Sequence, residues 1–152
     1  MNMKKLAAAL TVLLAVACVT NNTAGSKVPD PEVRLDQTST MPGAAEYMTG
    51  GIPVSFRMSV TNRAAIPITL KRAEVASIGE AGGYIVQQTS MPFNVTLAPG
   101  ASDSVAFTVS AVNVGNNVTG SNEPVTIRVT SIYDTSEGAL QTVVIRQVSG
   151  IR

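Results

Sequence analysis

In the stretch Ile52-Pro53-Val54-Ser55-Phe56-Arg57-Met58-Ser59-Val60-Thr61 the apolar and polar residues separate completely by parity. Ile52, Val54, Phe56, Met58 and Val60 fall on one side, and Pro53, Ser55, Arg57, Ser59 and Thr61 on the other. Side chains of a strand alternate between its two faces, whereas a helix would scatter these five apolar residues around its circumference. The pattern predicts a strand with one buried face. Val105, Phe107, Val109 and Ala111 repeat it, as do Val125, Ile127 and Val129.

Other strands read less cleanly. Val33 and Leu35 suggest a short first strand. Ile66, Ile68 and Leu70 alternate, but the parity then moves to Ala73 and Val75, which predicts a β-bulge near Lys71-Arg72. Tyr84 to Gln88 and Phe93 to Leu97 form two short runs. Leu140 to Val148 contains Val143-Val144-Ile145, apolar on both faces, as in a strand covered on both sides or sitting at an interface. Turn residues separate these runs: Gly79 to Gly83, Ala98-Pro99-Gly100, Gly115-Asn116-Asn117 and Asp134 to Gly138. No amphipathic helix is visible after residue 18. The chain therefore predicts an all-β fold, a single antiparallel immunoglobulin-like β-sandwich of about seven to eight strands over residues 32–152.

The first residues carry a different signal. Lys4-Lys5 precede the apolar run from Leu6 to Ala17, which is too short for a membrane span of about 20 residues. Ala15-Val16-Ala17-Cys18 then resembles the cleavage box of bacterial lipoprotein export signals, and Cys18 is the sole cysteine. The resemblance implies cleavage after Ala17 and acylation of Cys18, giving a palmitate-type membrane anchor. Val19 stands where that family's inner-membrane retention signal has aspartate. The expected location is the cell envelope, at an outer membrane, facing the periplasm or the cell surface. Residues 18–31 are small and polar and read as a flexible tether.

Leu97-Ala98-Pro99-Gly100-Ala101, followed by the alternating run to Val109, resembles the strand–turn–strand unit of bacterial immunoglobulin-like domains. Proline presets the turn and glycine permits a positive φ. Val60-Thr61-Asn62-Arg63 through Leu70 is similar to the early hairpin of the LEA14-type domain, with Arg63 where that family has proline. That resemblance implies another β-sandwich, linked to water stress, and supplies no enzymatic residues.

The chain offers little chemistry. It has no histidine, which removes Ser–His and Cys–His nucleophile systems and the commonest metal ligand. Without Lys4 and Lys5, nine Lys and Arg face ten Asp and Glu, a balance that argues against a nucleic-acid partner. Glu80, Asp134 and Glu137 lack the density of a calcium loop and read as turn residues. Tyr47, Met48, Met91, Asn116 and Asn117 are the candidate partner contacts, read as loop residues of a sandwich. The hydroxyls of Ser55, Ser59, Thr61, Ser104, Thr108, Ser110, Thr126 and Thr130 form a candidate flat face, or an ordinary solvent face. The expectation is a noncatalytic binding or structural module with no cofactor, metal or small-molecule substrate. It would be held to a membrane by its N-terminal lipid and would meet an envelope protein. An LEA14-like stress-protective role is the alternative.

Overall fold

The computed structural model describes residues 27–40, 51–79, 82–112 and 124–150. Eight strands follow in chain order: β1 (Glu32–Gln37), β2 (Ile52–Thr61), β3 (Ile68–Ser77), β4 (Ile85–Val86), β5 (Thr89–Leu97), β6 (Ser102–Val112), β7 (Val125–Thr135) and β8 (Gly138–Val148). They form two four-stranded sheets, ordered β1-β2-β6-β4 and β5-β3-β7-β8, and every pairing is antiparallel. The all-β sandwich expected from the alternating pattern is the fold observed.

The pattern works because each sheet has one wet face and one dry face. The five apolar residues of β2 are all buried, as are Val125, Ile127 and Val129 of β7. Tyr84, Tyr133, Phe56 and Met58 are the largest fully buried side chains, and together with Ile68, Leu70 and Val75 they fill the space between the sheets. Phe56 and Phe107 meet with ring centroids 5.7 Å apart, a tilted aromatic contact between neighbouring strands.

The bulge lies where the parity changes. Leu70 faces Tyr133 on β7 and Arg72 faces Ile132, so Lys71 is an extra residue relative to β7. On the other side Leu70 faces Val95 and Arg72 faces Pro92, so β5 gains a residue there as well. The displacement returns Ala73 and Val75 to the core and turns Lys71 and Arg72 to solvent.

Registers define two poles. Glu32, Thr61 and Ser102 share one end of the first sheet, and Ile68, Leu97, Thr135 and Gly138 the same end of the second. Short turns close this pole. Ala101 N donates to Ala98 O at 3.0 Å across a turn with Gly100 at φ 74°, and Thr135 Oγ1 donates to Gly138 O at 2.8 Å. The chain also enters the sandwich here, through β1. At the opposite pole lie Ile52, Val112, Val125 and Val148. The connections 80–81 and 113–123 leave from this second pole, and 41–50 returns to it at Gly51.

One difference from the sequence reading concerns the tether. Val28 is 8% exposed and joins the core, and Pro31 is buried. An isolated valine among small polar residues shows no periodicity, so its burial was not legible. Among the described residues, packing against the core thus includes Val28, ahead of Pro31.

Candidate interaction surfaces

Of the residues singled out from sequence, Cys18, Tyr47, Met48, Asn116 and Asn117 lie outside the described residues, as does the signal segment. Met91 does not lie in a loop. It sits within β5 opposite Ala73 of β3, half-buried against the core. Its apolar neighbours along β5 are Phe93 and Val95, and across the sandwich Val105 and Phe107 of β6, all partly buried. Phe93 and Phe107 have ring centroids 6.2 Å apart. This seam is where core side chains reach solvent, because β4 pairs with β6 only at Ala111 and Val112.

The hydroxyl row divides between two faces. Ser55, Ser59, Thr61, Ser104, Thr108 and Ser110 lie on the outer face of the β1-β2-β6-β4 sheet, while Thr126 and Thr130 belong to β7 in the other sheet. Several hydroxyls are occupied with one another. Ser55 and Thr108 are 2.8 Å apart, and Thr61 and Ser102 2.7 Å, as cross-strand pairs.

Charge concentrates at the entry pole. Glu32 accepts hydrogen bonds from Arg63 and from Arg34, the latter at 3.1 Å. Arg63 first, then Arg34, holds the Glu32 carboxyl below its usual range. Asp134 and Glu137 are exposed around a turn organised by Thr135 Oγ1, which accepts from Glu137 N at 3.1 Å. Among the described residues no group of three His, Cys, Asp or Glu side chains could hold a metal ion.

Two interior polar devices were invisible to periodicity. Asn62 is 1% exposed. Its Nδ2 donates to Ile66 O at 2.9 Å and to Leu97 O and Ala98 O at 3.1 Å each, and its Oδ1 accepts from Ala64 N at 2.8 Å. Tyr133 and Thr142 are also buried, and neither hydroxyl has a hydrogen-bond partner among the described residues. Burial pushes the Tyr133 phenol up, and the nearby Ser131 and Thr142 hydroxyls offset that in part without reaching hydrogen-bond geometry. Sequence gave these residues no mark beyond a polar type on an otherwise apolar row.

No protein-family model and no curated protein matches the chain. Among solved structures the sandwich is similar to the crystal structure of a Bordetella pertussis protein assigned as ApaA. The TM-score is 0.57 at 14% identity, over 84% of this chain and 99% of that one. At that identity the likeness carries the fold alone.

Proposed function

We propose that this chain is a lipid-anchored cell-envelope protein, held to a membrane through Cys18, whose sandwich serves as a noncatalytic binding or structural module. The observation that carries the reading is topological. The chain enters the sandwich at the pole closed by short turns, and the long connections 41–50 and 113–123 join it at the opposite pole. An anchor at Cys18 therefore pulls on one end and leaves the other end available to a partner. Tyr47, Met48, Asn116 and Asn117 belong to those connections, and variable loops on a rigid sandwich are a common place for recognition. The lipoprotein-like box supplies the membrane, an outer membrane in a cell that has two.

The test has two parts. Mass spectrometry of the membrane-extracted protein should find acylated Cys18 as its first residue, and Cys18→Ala should leave an uncleaved or soluble product. A photo-crosslinker at Tyr47 or Asn117 should capture one dominant envelope protein, while one at Ser136, at the entry pole, should not. Native protein recovered unlipidated from the culture fluid would overturn the anchor. Equal capture from both poles would overturn the module.

A further inference from the structure

The terminal strands of the two sheets are β1, β4, β5 and β8. A terminal strand exposes unpaired backbone groups, and soluble proteins blunt such edges with short strands, proline or charge. Three of the four carry one of these devices. β4 is two residues long, β5 contains Pro92, and β1 presents Glu32, Arg34 and Asp36 as a fully charged outer row. β8 differs. It runs eleven residues without proline, and its outer row of Ala139, Gln141, Val143, Ile145 and Gln147 has no charge. Ile145 is 48% exposed, more than any other large apolar side chain among the described residues.

We propose that β8 is the interface of a homodimer, pairing antiparallel with β8 of a second copy about a two-fold axis at Val144. The register follows from complementarity. Centred on Val144, Val143 of each copy faces Ile145 of the other and Gln141 faces Gln147, so apolar meets apolar and amide meets amide. On the inner row Leu140 faces Val148, and Thr142 faces Arg146. Centred instead on Val143, Leu140 would face Arg146 and Gln141 would face Ile145. Cross-strand matching of this kind selects register, and an interface that matches itself closes as a two-fold dimer.

Arg146, the strand's one charge, is the apparent obstacle, because a charge pointing inward also blunts an edge. In the proposed register it becomes a partner. Thr142 is 6% exposed, and its hydroxyl is without a hydrogen-bond partner among the described residues. Arg146 of the second copy stands directly opposite and brings donors to that buried oxygen. In the single chain Arg146 folds back on the Ile145 carbonyl at 3.2 Å. The two entry poles lie at opposite ends of the joined sheet. Residues 19–27 can extend about 30 Å at most, so both anchors reach one membrane when the strands lie along it. The pairing itself does not depend on the lipid.

Cysteine crosslinking in the full-length chain tests this register. Two Val144 Cα atoms facing each other across antiparallel strands would be about 4.5–5.5 Å apart, within disulfide range. Mild oxidation of Val144→Cys should double the apparent mass on non-reducing electrophoresis, and the parent chain, whose only cysteine is Cys18, should not change. Gln147→Cys alone should not link either, because its own copies would lie about 20 Å apart. The exposed double variant Gln141→Cys/Gln147→Cys should link, which covers the case in which Val144→Cys fails to fold. Adding Ile145→Lys should abolish linking. Monomeric double variant, equal linking by Gln147→Cys alone, indifference to Ile145→Lys, or capture of a different protein would each overturn the proposal.

Discussion

Tyr84 Oη donates to Gln37 Oε1 at 2.6 Å in the interior, between residues 47 positions apart. Gln37 ends β1 and Tyr84 precedes β4, and these strands are the two edges of one sheet. The bond therefore joins both edges across the sheet's inner face. Tyr84→Phe keeps the ring packing and removes this bond. Chemical denaturation should show a loss of about 1–2 kcal/mol with an unchanged m-value.

Asn62 does comparable work at the other pole. Its side chain ties the β2–β3 connection to the β5–β6 turn, and its backbone is held there too, N to Ala101 O at 2.9 Å and O from Gly100 N at 3.0 Å. Asn62→Ala leaves the buried Leu97 carbonyl short of a donor and should cost about 2–3 kcal/mol. Asn62→Asp should cost at least as much, because a carboxylate cannot donate to three carbonyls. An Asp variant as stable as the parent in urea would refute this role.

Two glycines with positive φ separate backbone strain from crowding. At Gly79, φ 73°, a Cβ would meet nothing within 4 Å among the described residues. At Gly82, φ 103°, it would stand 2.6 Å from Val125 Cγ2 and 3.1 Å from Val125 Cα. Gly79→Ala should cost about 1 kcal/mol from conformation alone. Gly82→Ala must also displace β7 and should lower the thermal midpoint distinctly further.

The pH dependence has two limbs. Glu32 titrates below its ordinary value of 4.5 in the folded state, so its contribution is present above that value and is lost as pH falls through the lowered one. Arg63→Gln should weaken this acid limb, although the solvent around the half-exposed pair and salt screening keep the effect small. Tyr133 behaves oppositely. Its folded pKa is raised above 10.0, so stability is intact below that value and declines as pH rises toward the raised one, where the unfolded chain ionises first. Tyr133→Phe should flatten the alkaline limb in equilibrium unfolding at pH 9 to 11. At neutral pH it should be neutral or stabilising, because it removes a buried hydroxyl without a partner.

Parity alone located β2, β6, β7 and the bulge at Lys71-Arg72, because each records a one-residue choice between core and water. It shortened β5, whose Pro92 reads as a breaker; on an edge strand the missing amide costs nothing. The run Val143-Val144-Ile145 reads as a strand covered on both sides or sitting at an interface; in the fold Val144 packs on the core and Ile145 lies outside. The hydroxyl row was grouped by residue type, yet its members sit on two sheets, since local pattern gives each strand a face but not a neighbour. Asn62 and the Gln37–Tyr84 pair depend on contacts between distant segments, which no local period records. Met91, the one candidate contact within the described residues, needed the β3–β5 register to be placed in the seam.

The direction of β1 has a mechanical consequence. Glu32 faces Thr61 and Gln37 faces Phe56, so this strand rises from the entry pole alongside β2. A force applied at residue 27 and resisted at the far pole would run parallel to that ladder. Its hydrogen bonds would bear the load together in shear, instead of opening one after another like a zipper. Such a body would resist extension along this axis far better than peeling from its side.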